Sequence, residues 1–565
     1  MCSQRNRFSA IIIIILFTLL SCKNSIEQVH EAFRITSPRE SWIYYSDEKI
    51  IFSTNMNSDD IEWTSSIDGV IGKENGISVF LSEGNHLISA KCITTGECAT
   101  IKLSIQKRVN ENTKIFLFIE NERTIMIDKG RWKSALYALN GSAKNVQINK
   151  ISSSSYMSHT KRNYIIQRDI VANYNSKSIP IRVTNSYRFA KSQYEIGQEK
   201  EFFVLNTKNQ MDLPHTVKAK LLDYGERWTF WIPADDSAID VQLLKECMQN
   251  FENIILPRLT LYWGEWDDID GDEKIAILAS PSINEEKIAV GFFNQSDFFK
   301  KNTDIHSEEY NPYSNEMDII YIATPCNEND DYSVASISAT IAHELTHAIT
   351  FSKKTFSKIK DGNINAKRED VFLEEGYAHL SETLCGFGES GGNKQCIERY
   401  AQYPNGFSLC GKNYLGQDDS IERRGAMTLF LSWIFWNCGG ITWNGSVPVD
   451  SGGISFLQNM MNQNIFGWES IGVAIGKNID AVFKDFIFAA LQNNILCTEN
   501  MSDKITGEKL YHSFDGFSLK DFPIEIILPY SFCVLKEVEQ VENNNIILNL
   551  HADTITGSIF ALFLR

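Results

Sequence analysis

Basic charge is what this sequence most conspicuously lacks: 54 Lys and Arg stand against 71 Asp and Glu, a net charge of -17 at pH 7. Phosphate binding needs a cationic face, so the deficit argues against a nucleic-acid partner. An anionic membrane surface would repel the chain as well. The apolar run at the start, Ile11 to Leu20, is too short for a comfortable membrane span. No CxxC pair occurs, which argues against a structural zinc ribbon. Histidine is scarce, ten in all, so any pattern of histidines carries weight. Internal repeats and low-complexity stretches are missing too. With 565 residues there is room for roughly two to four domains.

What is present begins with an address. Arg5 and Arg7 precede the apolar run, the order of a secretory signal. The run ends Leu19-Leu20-Ser21-Cys22, which resembles the lipobox of bacterial lipoproteins. That resemblance implies cleavage after residue 21, a lipid on Cys22 and a membrane-anchored exported protein. The Lys after the cysteine implies an outer-membrane or surface location. Removing Cys2 with the signal and Cys22 with its lipid leaves ten of twelve cysteines in a compartment where disulfides persist. Cys92 and Cys98 flank the turn Thr94-Thr95-Gly96 and are expected to staple it. Cys385, Cys396 and Cys410 are close enough in sequence to stabilise a loop.

The expected architecture is multidomain. Residues 22–30 form a polar tether. From 31 to 107, alternating runs such as IIFST, IEWTS and GISVF recur about every ten residues, the spacing of a small β-sandwich. The segments Ile61–Ser65, Asp68–Gly72 and Leu81–His86 resemble a bacterial immunoglobulin-like or PKD-type domain, a kind of module that serves as spacer or adhesion element. Trp63 is expected in its core. Residues 108–220 read as a β-rich linking region, 221–510 as an α+β catalytic domain, and 511–565 as a small C-terminal β-domain.

The chemistry concentrates at His343-Glu344-Leu345-Thr346-His347. Histidines four apart on a helix share one face, so both imidazoles can reach one metal ion, and Glu344 stands beside the first as a general base for metal-activated water. Val334, Ile337, Ile341, Leu345 and Ala348 keep helical spacing, with Asp330 and Asp331 placed to cap the start. The extended HExxHxxGxxH form is excluded by Thr350 and Lys353. Downstream, Phe372-Leu373-Glu374-Glu375-Gly376-Tyr377-Ala378 puts Glu375, His379 and Glu382 on one helical face, a pattern that fits either a solvated stripe or a set of ligands.

The HELTH motif with this later Glu-Gly segment resembles the gluzincins, the thermolysin-like peptidases. The resemblance implies that Glu375, before the Gly, is the third zinc ligand, with Glu374 as the alternative. Such enzymes often carry an aspartate one turn later that orients a zinc histidine. Here that position is His379, and Glu382 is the group able to substitute. A closer resemblance, over about 224–493, is to the hyicolysin family of bacterial metallopeptidases. It rests on Tyr224–Arg227, Gly264–Asp272, Gly291–Asn294, Asn315–Ile322 and the two zinc-site segments. It implies a zinc-dependent endopeptidase acting on protein or peptide substrates outside the cell.

Three points stay open at this level. Asp268, Asp270 and Asp272 alternate around Gly271 like the first half of a calcium loop, but the twelfth position is Ala279, and a polar turn explains the spacing equally well. An oxyanion needs a donor opposite the metal, for which Tyr377, Tyr414, Arg423 and Arg424 are candidates. The strand MDIIYI (317–322) is expected at a sheet edge, where an extended substrate could pair with it. No GxMEN-type motif grips a substrate amine, which favours an endopeptidase over an aminopeptidase. The competing reading is a surface adhesion lipoprotein whose peptidase domain has lost activity.

Overall fold

The computed structural model describes residues 33–107, 179–181, 194–492, 501–511, 516–517 and 527–535, apart from 57–59, 209–211, 236–237, 287–288, 326–331 and 364–365; within 113–148 and 546–564 it describes the strand backbones. The signal, Cys22, the tether and the proposed caps Asp330 and Asp331 lie outside these residues. The architecture is multidomain, with a β-rich N-terminal region and a helical C-terminal region.

In the N-terminal region a three-stranded sheet (Ile35–Ser37, Ile50–Thr54, Ile77–Val79) accompanies a five-stranded one. The latter runs Tyr44–Tyr45, Cys98–Gln106, Gly84–Cys92, Ile61–Ser65, Gly69–Lys73. Burial alternates along Ile50–Thr54 and Ile61–Ser65, the signature of strands with one face on a core. Trp63 is fully buried, its ring 5.3 Å from Phe52 of the other sheet. The expected staple does not form, because Cys98 pairs across the hairpin with Lys91 and not with Cys92. Neighbours on a strand point to opposite faces, so Cys92 is buried while Cys98 is exposed. Every described cysteine is free, and burial pushes the thiols of Cys385, Cys396 and Cys438 up to about 12.

This module is no free spacer. Tyr44, fully buried, donates its hydroxyl to the carbonyl of Ile475 at 3.0 Å. Lys477, equally buried, pairs with Glu48 of the module at 2.9 Å and with Asp485 of the helical region at 2.6 Å. Gly476 sits at φ +81° where a Cβ would lie 2.6 Å from Pro38 Cα, so only glycine lets the two backbones approach this closely.

Ahead of the histidine motif lies a six-stranded sheet in the order Glu199–Val204, His215–Tyr224, Trp228–Pro233, Ile275–Ser280, Ile319–Ala323, Gly291–Phe293. Strands Trp228–Pro233, Ile275–Ser280 and Ile319–Ala323 are parallel and buried along their whole length. That is why they read as unbroken apolar runs and not as alternating ones. The strand from MDIIYI is therefore interior, against expectation. The edge is Gly291–Phe293, which runs antiparallel beside it. Val241–Asn250, capped by Asp240, continues through a π turn (Phe251–Ile255) into Leu256–Trp263.

The β-rich stretches expected on either side of the catalytic region share sheets. Ile546–Ile555 lies between Glu122–Ile127 and Ala143–Ile148. Lys133–Ala138 lies between Phe532–Leu535 and Ile559–Leu564, with Thr113–Phe118 beyond the latter. Strands from before and after the helical region thus pair with one another, which local sequence spacing cannot reveal.

Candidate metal centre

The motif sits on helix Val334–Thr350, which begins at Ser333. The Ser333 hydroxyl accepts the Ser336 N–H at 3.0 Å while Ser336 Oγ accepts the Ser333 N–H at 2.9 Å, a reciprocal cap that satisfies two otherwise orphaned donors. From Ile337 onward every residue of this helix is buried, His343, Glu344 and His347 included. The imidazole centroids of His343 and His347 stand 5.0 Å apart, on the shared face that their spacing dictates.

Helix Val371–Leu384 crosses it and delivers Glu375, whose Oε2 is 3.7 Å from His343 Nε2. Gly376 lets helix Ile421–Asn437 pack closely on the helix that carries Glu375, since a Cβ there would meet Met427 Cβ at 3.0 Å and Leu431 Cδ1 at 2.9 Å. One donor atom from each of His343, His347 and Glu375 lies within 4.8 Å of the other two. Ligands about 2.0–2.1 Å from a tetrahedral zinc stand roughly 3.4 Å apart, so the donor set fits that ion with little adjustment. Glu374 does not join it; burial raises its pKa to about 7.

The other candidates separate cleanly. Glu382 Oε1 lies 2.6 Å from His343 Nδ1 and 3.1 Å from His379 Nδ1. Burial opposes ionisation of Glu382, but the imidazoles of His379 and His343 more than offset it, and its pKa is lowered. An ionised carboxylate only accepts, so His343 carries its proton on Nδ1 and its Nε2 lone pair is left for a metal. Tyr377 is fully buried against Trp263, ring centroids 5.1 Å apart, and belongs to the core. Tyr414 packs on Phe407 and is 40% exposed. Arg423 turns away, donating to the carbonyls of Ser408 and Asp418. Arg424, next on helix Ile421–Asn437, is the one brought to the site. Its Nη2 is 3.3 Å from Glu375 Oε2, while Asp419 holds the guanidinium in a fork at 2.9 and 2.8 Å. Residues adjacent on a helix point about 100° apart, and here Arg424 turns to Glu375 while Arg423 turns to the Ser408 and Asp418 carbonyls.

The edge strand completes the surroundings. A Cβ on Gly291 would meet Glu344 Cγ at 3.1 Å, Thr340 Cγ2 at 2.6 Å and the Tyr321 carbonyl at 2.9 Å. The backbone at Gly291 therefore passes directly beside Glu344.

The aspartate loop is arranged differently from a calcium loop. Asp268 and Asp270 come together with the buried Asp318, a residue that sequence spacing could not link to them, whereas Asp272 accepts the Tyr194 hydroxyl. Asp318 takes the indole N–H of Trp266 at 2.5 Å and the Ile269 N–H at 2.9 Å. Burial, then Asp272, pushes Asp270 up to about 8. Asp268 and Asp272 close the turn by accepting the N–H groups of Gly271 and Lys274. Ala279 lies inside strand Ile275–Ser280, so no second half of a calcium loop follows.

Two packed helices that present a pair of histidines and a glutamate beside a further glutamate and a sheet-edge strand form an arrangement suited to a metallopeptidase. Over 198 residues the chain is 25% identical to the neutral metalloprotease ShpI of Staphylococcus hyicus, a stretch covering 34% of this chain and 42% of that protein. The chain thus spans less than half the length of the curated relative it matches. No protein-family profile matches it. The likeness supports a metallopeptidase family, and the chemistry of the donor set suits zinc.

Proposed function

We propose that the chain is a zinc-dependent endopeptidase whose metal ligands are His343, His347 and Glu375 and whose general base is Glu344. The observation that carries this reading is the convergence of the three donors, with Glu344 next to His343 on the motif helix and Gly291 of the edge strand beside it. Bound there, zinc supplies Lewis-acid activation of both the water and the substrate carbonyl. Gly291–Phe293 takes up an extended peptide by main-chain pairing, which sets the scissile carbonyl in place. Glu344 accepts the proton of the attacking water and returns it to the leaving amine. Arg424, held by Asp419 beside Glu375, serves as donor to the developing oxyanion. The substrate class is protein or peptide bound in extended form.

Residues 1–21 are read as an export signal cleaved ahead of a lipidated Cys22; support for this comes from the sequence, and metabolic labelling with a fatty acid tests it. For the peptidase itself, dialysis against a chelator should abolish casein cleavage by the purified protein, and stoichiometric zinc should restore it. Cleavage that persists in metal-free protein would overturn the reading.

A further inference from the structure

A chain of buried polar groups runs away from the metal donors, and the proposed reaction makes no direct use of its far end. His379 Nδ1 lies 2.7 Å from Asn393 Oδ1 as well as 3.1 Å from Glu382 Oε1. The orientation of the Asn393 amide follows from its other end: Nδ2 donates to the His379 carbonyl at 2.7 Å and to Thr383 Oγ1 at 3.1 Å. A carbonyl only accepts, so Nδ2 must face it and Oδ1 must face the imidazole. His379 Nδ1 therefore carries a proton, shared between the amide oxygen and the Glu382 carboxylate. Glu382 in turn receives a second N–H, from His343 at 2.6 Å. His379 and Glu382 are each 1% exposed and Asn393 is fully buried. The turn that brings Asn393 back closes tightly on the carboxylate: a Cβ on Gly391 would lie 2.1 Å from Glu382 Oε2 and 3.1 Å from Ala339 Cβ.

We infer that Asn393 and His379 are positioning residues, which clamp Glu382 against His343 Nδ1 and so keep the Nε2 of His343 aimed at the metal. The inference rests on the peptidase reading and deepens it. The carboxylate that orients the histidine comes from position 382, two turns after Glu375, because position 379 is itself an imidazole. His379 directs its Nδ1 proton at Glu382 and Asn393, so it acts on the carboxylate and not on His343. A glutamate reaching across this distance has three rotatable bonds, and two fixed donors are what hold it in one rotamer.

The test is a double-mutant cycle on the full chain. Zinc dissociation constants from chelator competition, and visible spectra of the cobalt-substituted protein, are recorded for wild type, Glu382→Gln, Asn393→Ala and the double variant. Glu382→Gln, which keeps size and an acceptor oxygen but loses the charge, should weaken zinc by about 10–100-fold and shift the cobalt bands. Asn393→Ala should weaken it by a smaller factor, and the double variant should bind no worse than Glu382→Gln alone, because the groups act in series. If Asn393→Ala fails to fold, His379→Gln runs the same cycle. Unchanged affinity and spectrum in Asn393→Ala, or an effect that adds in full to that of Glu382→Gln, would overturn the inference. A wild type that takes up no zinc overturns the peptidase reading along with it; a zinc-binding wild type with variants that match it overturns this inference alone.

Discussion

Lys354 is fully buried seven residues past His347, in the π turn Phe351–Phe356 that extends the motif helix. Its ammonium donates to the Met460 carbonyl at 3.0 Å and the Ile465 carbonyl at 2.9 Å and forms an ion pair with Glu369 Oε2 at 2.9 Å. Glu369 accepts from the Gly467 N–H at 2.6 Å and stands just ahead of the helix that delivers Glu375. The pair therefore ties the histidine helix to the glutamate helix. Lys354→Met removes the cation and leaves the Glu369 charge buried without its partner, a change that costs about 3–5 kcal/mol. At about 2–4 °C per kcal/mol, melting of the metal-free protein should fall by at least roughly 6 °C. Because the ligand helices lose their tie, zinc affinity should fall as well. Lys354→Met with Glu369→Leu removes both charges and should recover at least half of the lost stability. A single variant that melts within 2 °C of wild type, or a double variant that is worse than the single, would refute the reasoning.

Three further outcomes follow from other contacts. Gly291→Ala should cut kcat/KM by about ten-fold or more while zinc content stays stoichiometric, because the new methyl presses on Glu344 and displaces the edge strand; unchanged kinetics would count against that strand's role. Gly425→Ala should prevent folding or sharply lower the melting temperature, since its Cβ would lie 2.1 Å from the Cys396 carbonyl oxygen, which is backbone and cannot swing aside. Asp297 is fully buried, and burial lifts its pKa to about 7 from an ordinary 3.8. The folded state thus favours the protonated acid, so this group costs nothing below about pH 4 and up to about 4 kcal/mol once pH passes 7. Asp297→Asn should gain stability relative to wild type between pH 5 and pH 8 in urea melts; parallel curves would contradict this.

The part of the candidate site carried by one helix is legible in the sequence. His343, Glu344 and His347 announce themselves by spacing, and Glu375 by its glycine and by a resemblance. What escaped depends on contacts between elements distant in sequence. Asn393 reaches His379 through a loop, and Asp318 reaches Asp268 and Asp270 from another strand. MDIIYI was legible as a strand, but its apolar run is equally compatible with an edge and with an interior place, and only pairing with Gly291–Phe293 and Ile275–Ser280 decides between them. Arg423 and Arg424 are indistinguishable as letters and differ by 100° on a helix. The β-rich stretches at 113–148 and 532–564 each look self-sufficient, yet their strands alternate within shared sheets. The disulfide expected between Cys92 and Cys98 depended on register, where one residue decides the face.

The most direct measurement pairs zinc content with casein cleavage for wild type and Glu344→Gln. Glutamine keeps the shape of the helix face and leaves the three donors in place, but it cannot accept the water's proton. The account predicts one zinc per chain in both proteins, with cleavage reduced by at least about a thousand-fold in the variant. Equal cleavage by the two would contradict the role of Glu344, and an absence of zinc from both would contradict the metal centre itself.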